Sequence, residues 1–186
     1  MRICDVNMMQ KDIEKRTKEM RLHDICPAIS RECDIWLESI GYYEKPAALK
    51  HHAYGTKDGA LFEHSLAVAL ELEHMTQALE LIWSRRESPM IVGLLHDVCK
   101  CDDYVKIDGA WQWNKDRMLD GHGDKSVMIL TGHIELTQEE AYCIRFHMGA
   151  YTDKEEWPFY GKAVEKYANV LYTHTADMFA SKVLDI

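Results

Sequence analysis

Residues 88–100 read SPMIVGLLHDVCK, which joins the most apolar run of the chain to the polar pair His96 and Asp97. Proline is favoured in the first turn of a helix, and the residues after Pro89 are apolar nearly all round, which is typical of a helix at the centre of a core. Burying the ionised carboxylate of Asp97 is costly unless a cation or strong hydrogen-bond donors compensate it. This stretch therefore predicts a central helix whose end carries a carboxylate that needs a cation.

Helical periodicity dominates the chain on both sides of that stretch. Apolar residues recur at intervals of three and four, whereas strand-like alternation is confined to one insert. The periodicity predicts helices over about residues 7–23, 27–40, 61–83, 90–99, 123–132, 137–148 and 161–184. The insert, around residues 102–121, contains YVKIDGAWQW, where a turn pair separates two strand-like runs. We therefore expect an all-α fold with a short irregular or β-hairpin insert.

Length and composition indicate one globular domain. The chain has 186 residues, of which 47% are hydrophobic and 28% charged, enough to bury a substantial core. We expect a single domain, 1–186, in which N-terminal helices within residues 1–45 pack on a core of residues 51–181. No apolar run approaches the roughly 20 residues that cross a bilayer, and the first residues turn polar too early for a secretory signal. The sequence thus predicts a cytoplasmic protein with no membrane partner.

The net charge of -9 bears on the possible partners of the chain. Binding of extended nucleic acid needs clustered lysine and arginine, which an acidic chain of this kind does not favour. A small anionic substrate remains compatible with the charge, because bound metal ions can dominate the local field. We therefore expect a small-molecule partner, and the sequence leaves open whether the chain forms a homo-oligomer.

Two more residues, a histidine and an aspartate, are predicted to face the core as His96 and Asp97 do. His64 lies on the apolar stripe of the 61–83 helix, where a lone histidine is more often a hydrogen-bonded core residue than a ligand. Asp177 has small or apolar neighbours at helical spacing, so its carboxylate also faces inward and needs compensation. Two buried carboxylates and two imidazoles make a mixed nitrogen and oxygen set that suits a divalent metal. The spacing does not choose among Mn, Fe, Ni, Co, Zn and Mg.

The order H…HD…D of these residues resembles the signature of the HD-domain superfamily of metal-dependent phosphohydrolases. The likeness covers most of the chain, from about residue 51 to residue 181. Five blocks look like those of small bacterial and phage HD hydrolases: HHAYGTKDGALFEHSLAVAL (51–70), GLLHDVCK (93–100), GHGDKSVMIL (121–130), AYCIRFHMGAY (141–151) and LYTHTADMFAS (171–181). The resemblance implies an HD-type helical bundle.

The resemblance also implies a set of metal ligands. The first metal would be bound by four residues, His64, His96, Asp97 and Asp177. Superfamily members with six such residues hold two metals, with the aspartate of the HD pair between them. By that resemblance His122 and His147 complete a second site with Asp97. The alternative is a single metal, with these two histidines contacting its ligands or the substrate. One or two divalent metal ions per chain are therefore expected.

Other residues are candidates for binding a phosphate group. Lys100 lies one turn beyond the HD pair and can meet a phosphate as a point charge. Lys125 and Ser126 follow Gly-His-Gly at a predicted helix N-terminus, where free backbone N–H groups favour anions. His52, in the HHAY segment, is a further candidate substrate contact. Asp97, Lys100 and Lys125 are the residues that we expect to act in catalysis.

The leading hypothesis is hydrolysis of a phosphoester in a nucleotide or a similar small phosphorylated metabolite, by metal-activated water. Two other classes stay open. Some HD proteins with the same order of ligands use a di-iron cluster to activate oxygen, so an oxygenase acting on a small metabolite is one alternative. A nucleotide-binding module without turnover is the other. The ligand residues alone do not separate the three.

Overall fold

The computed structural model of the chain describes residues 3–49 and 56–186. It is an all-α fold with one short hairpin, as predicted. The helices are α1 (Ile3–Glu19), α2 (Leu22–Ile25), α3 (Arg31–Ser39), α4 (Ala60–Leu79), α5 (Ser88–Leu95), α6 (Lys100–Asp103), α7 (Gly123–Leu130), α8 (Gln138–Arg145), α9 (Trp157–Lys166) and α10 (Asn169–Lys182). Strands β1 (Tyr104–Ile107) and β2 (Ala110–Trp113) lie between α6 and α7, and two 3-10 turns, Gly149–Tyr151 and Lys154–Glu156, precede α9.

Helix α4 lies at the centre of the core and packs against α5, α10 and α1. Its first half is buried on every side, from Ala60 to Ala69. The contact with α5 is very close at Gly93, where an added Cβ atom would lie 2.3 Å from the Cα atom of Ala69. Real Cβ atoms do not approach so closely, so this crossing requires glycine. The predicted central position of the 90–99 region is confirmed, although α4 shares it.

Helix α5 ends at Leu95, earlier than the predicted end near residue 99. The amides of Val98 and Lys100 donate to carbonyls three residues earlier, at Leu95 and Asp97, so the chain tightens into turns after α5. The amide of Cys99 donates to the hydroxyl of Ser126, 3.2 Å away on α7. His96 and Asp97 therefore lie in tight turns rather than on a continuous helix, and their side chains are buried.

The hairpin confirms the strand-like pattern of the insert. Strands β1 and β2 are antiparallel, with Tyr104 opposite Trp113. Asp108 and Gly109 both have positive φ, 50° and 81°, which is the backbone of the two-residue turn that matches strand twist. Asp58 accepts hydrogen bonds from Trp111 at 2.7 Å and from Lys106 at 2.6 Å. The hairpin is thereby tied to the segment that leads into α4.

Several predicted helix limits differ from the observed ones. The 27–40 helix begins only at Arg31, because Ser30 caps it by accepting from the amide of Cys33. The 61–83 helix ends at Leu79, where the next residue, Glu80, turns into the left-handed region.

The predicted 161–184 helix is two helices, α9 and α10, separated by an extended residue, Tyr167. Pro158 in the first turn starts α9 earlier than predicted. Tyr167 donates to Gln138 at 3.0 Å, and Asn169 donates to Glu139 at 2.8 Å. These tertiary hydrogen bonds anchor the break against α8.

Two further findings concern the described part of the chain. None of the helices in residues 3–49 and 56–186 is long and apolar enough to cross a membrane. The described cysteines, Cys26, Cys33, Cys99, Cys101 and Cys143, are free and buried.

Candidate metal centre

The predicted metal ligands converge in space although they come from five separate parts of the chain. His64 lies on α4, His96 and Asp97 in the turns after α5, His122 at the N-cap of α7, His147 just after α8, and Asp177 on α10. Subsets of these residues present ligand atoms that all lie within 4.8 Å of one another: His64, His96 and Asp97; His96, His147 and Asp177; Asp97, His122 and His147. The fold therefore assembles a buried His/Asp cluster that could hold a metal ion.

One oxygen of the Asp97 carboxylate faces the first group of ligands. Its Oδ2 atom lies 3.4 Å from Nε2 of His96 and 3.7 Å from Nε2 of His64. Nε2 of His64 lies in turn 3.1 Å from Oδ1 of Asp177. His64 thus contacts both carboxylates, and its ligand atom lies within 4.8 Å of those of His96 and Asp97.

The other oxygen of Asp97 faces the second group. Its Oδ1 atom lies 2.9 Å from Nε2 of His122 and 3.4 Å from Nε2 of His147. The two oxygens of the Asp97 carboxylate thus lie near two different sets of imidazoles. A carboxylate in this position can bridge two cations or hold one on either side.

Backbone carbonyls fix three of the imidazole rings. Nδ1 of His64 lies 3.0 Å from the carbonyl of Ile186, Nδ1 of His96 lies 2.8 Å from that of Gly93, and Nδ1 of His147 lies 2.7 Å from that of Ile144. A carbonyl only accepts, so Nδ1 carries a proton, and Nε2 keeps its lone pair while the ring is neutral. All three rings therefore direct a free nitrogen lone pair at the cluster, which is how metal-binding histidines are oriented.

Several polar atoms in the cluster lack hydrogen bonds. Within the described residues, Nε2 of His96, Nε2 of His147 and Oδ1 of Asp97 are buried without a hydrogen-bond partner of acceptable geometry. Leaving one such atom unsatisfied costs about 1–3 kcal/mol, and native structures rarely do so. Three orphaned atoms that point to one place, all of them metal-ligand types, fit a bound divalent cation.

The charges in the cluster match this fit. Burial lowers the pKa of His96, which keeps its imidazole neutral and able to bind a metal. Burial alone would raise the pKa of Asp97, but the ammonium of Lys100 holds it well below its usual range. Burial likewise opposes ionisation of Asp177, but contact with the imidazole of His64 lowers its pKa. Both carboxylates are therefore ionised, as cation ligands must be.

Lys100 lies at the cluster, and Lys125 does not. The ammonium of Lys100 contacts Oδ2 of Asp97 directly. The fully buried ammonium of Lys125 lies 2.6 Å from a carboxylate oxygen of Asp102 and 2.6 Å from one of Asp103. Burial alone would lower the pKa of Lys125, but these two carboxylates raise it. In this position Lys125 joins α7 to α6 and has no open face for a phosphate.

The remaining predicted contacts differ in their outcome. Ser126 is buried and accepts from the amide of Cys99, so it braces the turns after α5. His52 lies outside the described residues, and its predicted substrate contact stays a prediction.

Other groups near the centre contact the predicted ligands. Nδ1 of His122 lies 3.2 Å from the sulfur of Cys99, although helical spacing alone turns that thiol away from Asp97. His174 contacts the carbonyl of His147 at 2.9 Å, and its ring fills the space beside Gly149. The carbonyl of Ile186, which orients His64, has no signature in the sequence, since any residue there offers the same group.

A cleft of about 260 Å³ opens beside His122. Its walls include Gly123, Arg145, Phe146 and Tyr151. His122 is the most exposed of the ring ligands, with 32% of its side chain accessible, whereas His147 is 1% accessible. A small molecule can therefore approach the cluster from the His122 side. Arg145 was missed by the sequence analysis, although it lies only two residues before His147.

No family model matches the chain, and neither the curated proteins nor the solved structures include a significant match. Similarity to known proteins therefore adds nothing to the geometry. What is shown is a His/Asp cluster that could hold a metal. The HD-type resemblance remains a hypothesis supported by the residues that carry it.

Proposed function

We propose that the chain is an HD-type, metal-dependent phosphohydrolase that cleaves a phosphoester of a nucleotide or a similar small phosphorylated metabolite. The observation that carries the proposal is the position of Asp97, whose two oxygens face two sets of imidazole nitrogens. A pair of adjacent divalent ions is a common device of phosphoester hydrolysis. His64, His96 and Asp177 would hold one ion, His122 and His147 the other, and Asp97 both.

The bound ions would supply Lewis-acid catalysis and the activated water. The chain contributes the rest. Carbonyl contacts lock three rings, so the ligands need little rearrangement when they bind. Lys100 is 12% exposed and lies against Asp97, a position from which its ammonium can donate to a phosphoryl oxygen and offset charge that develops there.

The cleft beside His122 supports a small substrate. Its volume of about 260 Å³ is slightly below the usual range of ligand pockets, about 300–1,000 Å³. A phosphate group with part of a small molecule fits this space. Extended nucleic acid is disfavoured by the net charge of -9.

The test is metal analysis by mass spectrometry together with a phosphoester panel. The panel contains nucleoside mono- and triphosphates, cyclic dinucleotides and bis-p-nitrophenyl phosphate. We expect one or two divalent ions per chain, phosphate or alcohol release from at least one ester, loss of turnover with EDTA and recovery with added metal.

Matched variants on one helix sharpen this test. His64→Ala should lose metal and activity, because it removes a ligand. His74→Ala, on the same α4 helix but 71% exposed, should keep both. Turnover that survives EDTA, or equal metal content in the two variants, would overturn the proposal. Oxygen uptake by the iron-loaded protein without ester cleavage would favour the oxygenase hypothesis instead. Binding of a nucleotide that stays chemically unchanged would favour the hypothesis of a binding module.

A further inference from the structure

A second cleft, of about 230 Å³, contains none of the predicted metal ligands in its walls. It is formed by one face of α8 and one face of α9. Tyr142, Arg145 and Phe146 follow each other at helical spacing on or just after α8, and Phe159, Lys162 and Lys166 do so on α9. Buried Ala163 lies between them. We refer to this space as the basic cleft.

The charged residues that line the basic cleft are all cations. This is unusual in a chain whose net charge is -9. Among the described residues, neither Lys162 nor Lys166 has a carboxylate within 4.0 Å, and Lys166 donates only to the neutral amide of Gln138, at 2.6 Å. Arg145 is paired with Asp124 and with Glu156. The two lysines therefore present charge that an anionic ligand can neutralise.

Aromatic rings accompany each cation. The guanidinium of Arg145 lies 4.3 Å from the ring centre of Phe146, the ammonium of Lys162 lies 5.8 Å from that of Phe159, and that of Lys166 lies 5.8 Å from that of Tyr142. Phe159 is 52% exposed, so part of its side chain is accessible to a ligand. Flat apolar faces beside cations suit a ligand that joins a planar ring to an anionic group.

The basic cleft adjoins the cleft at the metal centre. Arg145 and Phe146 belong to the walls of both, with His122 on one side and Lys162 and Lys166 on the other. The two clefts are therefore neighbours that share one wall.

We propose that the basic cleft binds the base and one phosphate group of a nucleotide. This phosphate group is remote from the bond that is cleaved at the metal centre. The base stacks on Phe159, and the phosphate pairs with Lys162 and Lys166. The substrate is then a nucleotide with at least two separated phosphate groups, one at the metal centre and one in the basic cleft. The position of the cleaved bond rests on the proposed function, but the binding in the cleft requires no metal.

The experiment titrates the 186-residue chain, after EDTA treatment, with AMP, adenosine and inorganic phosphate by calorimetry. AMP should bind more tightly than either fragment. Lys162→Glu with Lys166→Glu should weaken AMP binding by about tenfold or more, since hydrogen bonds to charged groups contribute this much. Phe159→Ala should weaken binding of AMP but leave that of inorganic phosphate unchanged.

The matched control is Lys11→Glu with Lys15→Glu, which makes the same charge change four residues apart on an exposed face of α1. It should leave AMP binding unchanged. Equal losses in both double variants, equal binding of AMP and adenosine, or wild-type affinity in the α9 double variant would each overturn the basic cleft. Binding that follows these expectations in a chain without metal or hydrolysis would retain the cleft and reject the hydrolase.

Discussion

The candidate ligands differ in whether they belong to one group of ligands or to both. This difference allows variants to distinguish a two-metal site from a one-metal site. Asp97 faces both groups, whereas His122 belongs to the second and Asp177 lies near the first. With two metals, His122→Ala and Asp177→Asn should each retain about one ion, and Asp97→Asn should retain none, because only Asp97 contributes to both sites. Metal counts by mass spectrometry after dialysis measure this directly.

The single-metal alternative predicts another result for the same variants. There His122→Ala would keep the wild-type metal content, because the imidazole would contact only ligands or substrate. Asp58→Asn is the control for Asp97→Asn, since Asp58 is a mostly exposed carboxylate that binds Trp111 and Lys106 of the hairpin. It should leave the metal content unchanged.

Lys125 offers a second test at the scale of one residue. Its buried ammonium compensates two carboxylates, so Lys125→Met should lower the free energy of unfolding by about 2–4 kcal/mol, somewhat below a fully buried pair because Asp102 is 35% exposed. Urea unfolding measures the loss, and exposed Lys115→Met should show almost none. A variant with wild-type stability but impaired turnover would instead support the phosphate-binding role predicted from the sequence.

Among the elements, the contact between α4 and α5 depends on the absence of a side chain at Gly93. Gly93→Ala should destabilise the chain by roughly 1–3 kcal/mol, because the new methyl group meets the backbone of Ala69 and the helices must move apart. It should also weaken metal binding, since α5 leads directly into His96 and Asp97. Thermal unfolding and metal analysis report the two effects.

The control for this element is Gly161→Ala on α9. No atom of the described residues lies within 4 Å of a Cβ atom added there, so alanine should leave the stability unchanged or raise it by about 0.5–1 kcal/mol through its greater helix propensity. If Gly93→Ala were as stable as Gly161→Ala, the inferred close approach of α4 and α5 at Gly93 would be contradicted.

Most elements were predictable from sequence because their signals are local. Periodicity predicts the long helices, and Asp108-Gly109 predicts the hairpin turn. The turns that hold His96 and Asp97 were missed, because a buried apolar run looks the same whether or not it ends early. The break at Tyr167 depends on contacts with α8, and the pairing of Lys125 with Asp103 joins separate elements. Such tertiary contacts leave no periodic pattern to detect.

For the candidate site the same distinction holds. A carboxylate among apolar residues at helical spacing is visible in the sequence, and this pattern identified Asp97 and Asp177 as candidates. In the structure both carboxylates lie near His64. The carbonyl that orients His64 and the cations of the basic cleft could not be found this way. Their roles depend on which surfaces the fold brings together.

For the whole molecule, a buried ion pair away from the metal centre makes stability depend on pH. Glu140 is fully buried on α8 and accepts from Arg85 at 2.7 Å and from Ser88 at 2.8 Å. Burial alone would raise its pKa, but these partners lower it below the ordinary 4.5. A carboxylate whose pKa is lowered by folding stabilises the native state above its unfolded pKa, and this contribution is lost as the pH falls through the lower folded value.

Urea unfolding of the wild-type chain at pH 7 and at pH 4 and below should therefore show a loss of stability toward acid. Glu140→Gln should cost about 2–4 kcal/mol at pH 7, below a fully buried pair because Arg85, which loses its carboxylate, is 33% exposed; it should also flatten the acid slope. Exposed Glu155→Gln is the control and should keep both the stability and the slope. Because other carboxylates also titrate in this range, the decisive quantity is the difference in slope between Glu140→Gln and Glu155→Gln. Equal slopes would mean that the Glu140–Arg85 pair does not link α8 to the segment before α5 in solution.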